Sequence, residues 1–454
     1  MIFFAEEGGE REIMDNLNLE FMTLNGGFRM VMNPPSTITL QAFNELLLCF
    51  SEVIDGRVCL LPYIKMSSEI KANVTSYVDA YGESFPHLFK VRKKILDMPD
   101  GEYFLLMHKM PDETEERTKL EVFLQVVNEC EEDDVVEEWQ RRLSENNDFV
   151  GGLLQNYDIF NPRTDIRTTI GNATKDDRVC RFCDGTLLTG STFSKVAHAV
   201  PEALGNKTLI LADECDKCNE YFGSNIEPVF IGTLDIYRAL LGVKGKAGLP
   251  NIKYIDGEIR HQDGTPVISA KKITLTENEV VVNFGGFRKF VPAKMYKALC
   301  KITLSAIEDE HLEGLEDTIR WVRNDSDEAL LPKVALNIIK VSDESPFSVT
   351  TFIRKNDNYS IPHVVSEFRF GSLVYVYILP FSRRDRSSFV EDLDFERYWG
   401  FFGIFNRVSG WTFRSYQSTK EFLVNDSIKL FIDGVAKDCG DTVVAPESDD
   451  AMNQ

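Results

Sequence analysis

Cys180-Arg181-Phe182-Cys183 and Cys215-Asp216-Lys217-Cys218, with thirty-one residues between them, are the stretches on which the reading of this chain turns. Two residues between cysteines let both thiolates of a pair meet one ion from a tight knuckle, and two knuckles complete a tetrahedral four-cysteine zinc site. Such a site is closed, so its zinc holds the fold and does no chemistry. Zinc binding by small modules is worth roughly 10–16 kcal/mol, enough to order a segment with little core of its own. Iron also fits the pairs alone, but zinc is the preferred ion. A two-zinc arrangement needs eight ligands, and the one histidine nearby does not supply them. The remaining cysteines of the nine (Cys49, Cys59, Cys130, Cys300 and Cys439) are scattered singly. With an odd total and no basic flank or long apolar core at Met1–Glu7, the chain reads as a reduced, cytoplasmic protein.

Between the knuckles runs Phe193-Ser194-Lys195-Val196-Ala197-His198-Ala199-Val200-Pro201-Glu202-Ala203-Leu204-Gly205-Asn206, and Asn219 directly follows Cys218. Fourteen residues separate Cys183 from His198, and sixteen separate His198 from Cys215. The pattern resembles the HNH endonuclease family in its four-cysteine zinc form, including its relatives among phage junction-resolving endonucleases. The resemblance covers about residues 174–230, an eighth of the chain. It implies a treble-clef-like ββα-metal fold, in which zinc clasps a hairpin and a helix beside a separate catalytic Mg2+ or Mn2+. It also implies that His198 acts as general base, that Asn219 ligates the catalytic ion, and that the substrate is DNA or else RNA, cut to a 5′-phosphate and a 3′-hydroxyl. The residue chemistry agrees. Phosphodiester hydrolysis needs a base for water and a cation against the charge that builds on phosphate. His198 is the module's only histidine and titrates near neutrality. A helix beginning near Asp216 places Asn219 in its first turns, where the positive helix end favours phosphate.

One position departs from the family: Ala197 stands where an Asp or Glu commonly precedes the histidine as second metal ligand. Glu202 is the nearest carboxylate to replace it, with Asn206 and Asp213 as further candidates. Asn206 also occupies a place where the family often has an asparagine that orients the histidine, and it reads equally as a turn residue after Gly205. Glu220 and Glu227 read as solvent-facing, Pro228 as the end of the helix, and Tyr221 and Phe222 as packing. Ala197 motivates the alternative function, a catalytically degenerate zinc module that binds nucleic acid or protein without cutting.

Working outward, 454 residues and a hydrophobic fraction of 43% accommodate several packed domains. The expected fold is α+β, with the central zinc module flanked by two mixed α/β regions. Its parts are an N-terminal region at 1–160 of unknown role, the module at 174–230, a C-terminal region at 231–437 and an acidic disordered tail at 438–454. A hairpin is expected over Leu17–Met32 around Asn25-Gly26-Gly27, and a helix over Thr39–Ile54 with Leu40, Phe43, Leu47 and Phe50 on one side. Further expectations are an acidic helical stretch at Leu120–Leu143, a linker at Gln155–Asn172, a turn at Asp263-Gly264, a helix opened by Pro292 at Ala293–Ile307, and strands at Val334–Val341 and Glu367–Leu379. No apolar run reaches the roughly 18 residues of a membrane span, so no membrane partner is expected.

The net charge of -22 counts against a broad electrostatic grip on nucleic acid. It is concentrated in three stretches: Pro111–Val150, Ser305–Glu328 and Asp438–Gln454. A grip on DNA would therefore be local, through Arg92-Lys93-Lys94, Lys244 with Lys246, Arg383-Arg384-Asp385-Arg386, a catalytic cation, or a second copy or partner protein. No other histidine pair stands at metal spacing, and His363 reads as a loop residue.

Overall fold

The computed structural model describes residues 17–24, 26–32, 36–54, 57–60, 63–111, 114–130, 134–246, 248–262, 265–276, 279–286, 288–324, 328–339, 346–402 and 409–431. The acidic tail expected at 438–454, with Cys439, lies outside these residues, as do Asn25 and the expected turn at Asp263-Gly264.

The N-terminal part is an antiparallel sheet covered on both faces. Its strands are β1 (Leu17–Thr23), β2 (Gly26–Met32), β5 (Tyr63–Lys65) and β6 (Tyr103–Met107), in the order β2-β1-β6-β5. The short hairpin β3 (Ser51–Ile54) and β4 (Arg57–Leu60) stands apart. In β1, Phe21 faces a core built with α1 (Thr37–Leu48), α2 (Ser68–Tyr81) and α3 (Leu88–Asp97), while Met22 faces a second core under α4 (Thr114–Glu129) and α5 (Val135–Asn156). Successive side chains of a strand point to opposite faces, and the Met22 face of β1 also buries Asn18 and Glu20. The expected hairpin is present, with Thr23 paired to Gly26. Gly27 is required inside its strand, because a Cβ there would stand 2.7 Å from the Phe21 carbonyl oxygen.

Two N-terminal expectations need correction. The first helix ends at Leu48, and Ser51–Ile54 is a strand. Its start is fixed by Ser36, whose hydroxyl accepts from Thr39 N at 3.1 Å. Its buried face is Thr39, Ala42 and Leu46, whereas Leu40 is exposed. The acidic helical stretch is two helices, α4 and α5, rather than one.

The segment expected as a linker contributes two strands instead. β7 (Tyr157–Phe160) is an edge of a large antiparallel sheet, and β8 (Thr168–Ile170) runs parallel to β10 (Leu209–Leu211), whose other neighbour is β9 (Ala197–His198). Then come α6 (Asp216–Asn225) and α7 (Glu227–Leu240). Pro228 lies in the first turn of α7, where its missing N–H costs nothing, so it opens the second helix and does not close the first.

The C-terminal part begins with small sheets: β11 (Ile252–Lys253), β12 (Gly257–Gln262) and β13 (Thr265–Ala270) in one, and β14 (Lys272–Leu275) and β15 (Glu279–Asn283) with the late β23 (Ser427–Phe431) in another. β16 (Arg288–Phe290) pairs with β22 (Phe422–Val424). Helix α8 (Pro292–Ala306) starts at Pro292 as expected, and α9 (Glu316–Arg323) follows. The strands β17 (Val334–Ile338), β18 (Phe347–Arg354), β19 (Val364–Phe370), β20 (Leu373–Ile378) and β21 (Thr412–Arg414) join β7 in the order β21-β17-β20-β19-β18-β7. Helix α10 (Asp392–Phe401) packs on this sheet with Tyr157, Phe352 and Phe402. The single strand expected at Glu367–Leu379 is a hairpin, turned at Gly371 with φ +54°. No helix among the described residues is long and apolar enough to cross a membrane.

One feature of this architecture governs the site. Cys180, Phe182, Leu209, Leu211, Cys215, Cys218 and Phe222 share a single hydrophobic core with Met295, Leu299 and Ile302 of α8 and with Val349, Phe368 and Tyr375 of the large sheet. The cysteine region therefore packs on the C-terminal part as one body.

Candidate functional site

The two knuckles meet as their spacing requires. The Sγ atoms of Cys180, Cys183, Cys215 and Cys218 all lie within 4.8 Å of one another. Cys183 and Cys215 are 3.7 Å apart at sulfur, close to the about 3.8 Å edge of a tetrahedron with Zn–S arms of about 2.3 Å. The first knuckle is wound by Cys183 N and Asp184 N on the Cys180 carbonyl at 3.2 and 2.8 Å, with Asp184 at φ +56°. Gly185 follows because a Cβ there would meet the Ser191 hydroxyl at 2.1 Å. The second knuckle opens α6, and Asp216 ties it back by accepting from Thr192 Oγ1 at 2.6 Å and Lys195 N at 2.7 Å. Without a cation the thiols are unequal. The Cys218 thiol and Cys215 N–H hold Cys180 down at about 5, while burial and that charge push Cys215 up to about 11. A divalent ion removes this conflict by taking all four as thiolates.

At the other end of the module stands His198, last residue of β9 and paired with Ile210. Ala197 beside it points into the core at 2% exposure, so the family's usual second carboxylate has no counterpart there. Glu202 takes up the vicinity: its Oε2 lies 3.8 Å from His198 Nε2 and 3.3 Å from Lys246 Nζ. Burial lowers the His198 pKa, only partly offset by Glu202, and so favours the neutral imidazole. Its Nδ1 is buried with no hydrogen-bond partner among the described residues. Asn219 sits one turn into α6, with its N–H on the Cys215 carbonyl at 3.0 Å and its side chain half-buried.

The other candidates are engaged elsewhere. Asn206 is fully buried, its Nδ2 donating to Val200 O and Leu209 O at 2.8 Å each and its Oδ1 accepting from Thr208 N and Leu209 N. Both lone pairs of that oxygen are used, so Asn206 closes the turn between β9 and β10 and is corrected from metal ligand to structural residue. Asp213 accepts from Asn172 N at 2.7 Å and lies on the knuckle side, where Arg181 N donates to its carbonyl. Phe222 is buried against Phe182 as expected, ring centroids 4.7 Å apart.

A buried charge cluster beneath His198 has no counterpart in the sequence reading. Lys301 of α8, 1% exposed, donates to the His198 carbonyl at 3.0 Å and pairs with Glu214 Oε2 at 3.3 Å and Glu227 Oε1 at 3.1 Å. Glu227 is thus half-buried and ion-paired, not solvent-facing. Burial penalises the Lys301 ammonium, but the two carboxylates more than offset this and raise its pKa, while burial pushes Glu214 up to about 7. The sequence carries no signal of it: Lys294, Lys297, Lys301 and Ser305 share one face of α8 at helical spacing, which reads as a solvent face, and only the structure shows Lys297 and Lys301 buried. From the knuckle, Arg181 reaches the other end of α8, donating to Leu304 O and to Ile307 O and pairing with Asp309 at 2.6 Å. A cation there complements the negative helix end.

Residues 180–234 match the family model described as HNH endonuclease. This segment is an HNH endonuclease module. No curated protein and no solved structure matches the chain. The HNH match ends inside α7, so Lys246 and Lys301, both in contact with the module's residues, come from outside the matched segment.

Proposed function

We propose that this chain is a divalent-metal-dependent DNA endonuclease whose general base is His198. The observation that carries the reading is the HNH match together with a half-buried His198 facing the Glu202 carboxylate. Asn219 and Glu202 are the residues that would hold Mg2+ or Mn2+, and the four cysteines would hold a structural zinc. The catalytic cation supplies charge neutralisation at the phosphate and the leaving oxygen. His198 accepts the proton of the attacking water, a role that needs the neutral ring its burial favours. Lys301 and the pairing of β9 with β10 fix the backbone that carries the ring. Glu202, four residues past His198, supplies the carboxylate that Ala197 does not.

The setting of the module between two further regions suits an effector of restriction or phage defence, in which the flanks decide what is cut and when. The competing reading, a zinc module that binds without cutting, is motivated by Ala197 alone. The test is cleavage of duplex, single-stranded and branched DNA, and of RNA, by wild type and His198→Ala with Mg2+ or Mn2+. Cleavage of DNA by the wild type and a loss of about 10²–10⁴-fold in the variant, at unchanged zinc content, is expected. Equal cleavage by both proteins sinks the assignment of His198, and no cleavage of any substrate by the wild type sinks the nuclease.

A further inference from the structure

Of the three basic clusters in the sequence, two have an arginine engaged by the protein itself. Arg92 pairs with Asp79 at 2.8 Å, and Arg383 with Asp317 at 2.8 Å and with Glu316. The third arrives at the HNH centre. After α7 the chain turns at Gly242 (φ +66°) and closes a tight loop, with Gly245 and Gly248 exchanging backbone hydrogen bonds at 3.0 Å. This loop packs on the turn that carries Glu202: a Cβ at Gly245 would stand 3.3 Å from the Ala203 Cα. Arg238, 9% exposed, braces both sides, donating to Ala203 O at 2.6 Å with its other end beside Gly245. Its guanidinium is held in turn by Asp235. The backbone of the loop is thus anchored, while the Lys246 side chain at its tip is 84% exposed and reaches Glu202 Oε2, the same oxygen that lies 3.8 Å from His198 Nε2.

One carboxylate oxygen therefore has two claimants, an ammonium now and a divalent cation in the working enzyme. An exposed lysine pair is weak, and a long side chain leaves it readily. We propose that Lys246 is a phosphate-binding residue of the active site, held by Glu202 until a divalent cation takes that carboxylate and frees the ammonium for the backbone of the scissile strand. This rests on the nuclease reading above and deepens it. It gives an acidic protein a cation beside the HNH centre, and makes that cation more available when the metal is loaded. The ligand class is a nucleic-acid phosphodiester.

The proposal makes two expectations of opposite sign for one substitution. Lys246→Gln removes the competitor for Glu202, so Mn2+ alone, titrated into the zinc-loaded full chain by calorimetry, binds about two- to fivefold more tightly. The same variant binds a random duplex more weakly in Ca2+, with the slope of log K against log salt smaller by about 0.9, the share of one phosphate contact. In EDTA the loss of duplex affinity in the variant is smaller than in Ca2+, because Glu202 then partly neutralises Lys246. Lys246→Arg retains the wild-type salt slope, and Lys244→Gln leaves Mn2+ affinity unchanged. An unchanged Mn2+ affinity in Lys246→Gln overturns the proposal, as does an unchanged salt slope in Ca2+ or an equal gain of Mn2+ affinity in Lys244→Gln. A wild type that binds Mn2+ but cuts nothing overturns the nuclease reading instead, and the Mn2+ titrations still decide whether Lys246 competes for Glu202.

Discussion

The two ends of the HNH module are built on opposite plans. At the knuckle end four thiols crowd within 4.8 Å, three of them buried, and backbone N–H groups close around the sulfurs. At the histidine end the polar groups are spread and half-exposed, with His198 and Glu202 at 19% and 26% side-chain exposure and a buried ring nitrogen left without a partner. The first arrangement satisfies all its valences at once and can only hold shape. The second keeps positions open, as the proposed nuclease site requires. Between them lies the Lys301 cluster, as buried as the knuckles and as charged as the histidine end.

The strongest way to break this contrast is at the knuckles. Cys215→Ser removes one thiolate, and the module stands to lose much of roughly 10–16 kcal/mol of metal-linked folding energy. Zinc content measured by atomic absorption falls, and amide protection in β9, β10 and α6 is lost. Retained stoichiometric zinc would break the picture of a closed four-thiolate site. Next in size is Lys301→Met, which leaves Glu214 and Glu227 buried around an apolar side chain. A loss of about 3–5 kcal/mol in urea unfolding is expected, with recovery when Glu214→Gln and Glu227→Gln are added. No recovery would mean that packing, not unpaired charge, sets the cost.

The smallest effect uses a second histidine as a foil. His363 is 1% exposed and its Nδ1 contacts Ser382 Oγ at 2.7 Å. Burial, aided by Arg384, Arg354 and His311, lowers its pKa to about 3, against about 6.5 in the unfolded chain. The unfolded chain therefore takes up the proton first, so native stability is complete above pH 6.5 and is lost as pH falls from there toward 3. Asp385, which accepts from His363 N and is pushed up to about 6 by burial, acts in the opposite direction in part of this window. The difference between wild type and His363→Gln isolates the histidine. It should shift by about 1.4 kcal/mol in favour of the variant between pH 7.5 and 5.5 in urea titrations. A flat difference would show that His363 takes up its proton in the native protein as readily as in the unfolded chain.

Local chemistry was legible in the sequence and long-range chemistry was not. The four clustered cysteines and the helix opened by Pro292 stand where the pattern puts them, and Asn219 lies in the first turns of α6. Gly371 was visible, yet the β-branched, aromatic residues around it read as one strand because both arms of the hairpin are buried. Glu227 looked like a surface residue because its partner Lys301 is 74 residues further on. Asn206 read equally as a ligand and as a turn residue after Gly205, and the structure shows the turn: its amide is spent on Val200, Thr208 and Leu209. Ser36 marks a helix start, but the exposure of Leu40 depends on which way the helix faces the sheet, a tertiary matter.

The contacts that Arg181 and Lys301 make across the module's boundary have a consequence for the module in isolation. A fragment excised after α7 would leave the histidine strand without its supporting lysine and the knuckle without its helix end. The matched segment on its own is therefore expected to be less stable than the same segment inside the full chain, with which it shares one core.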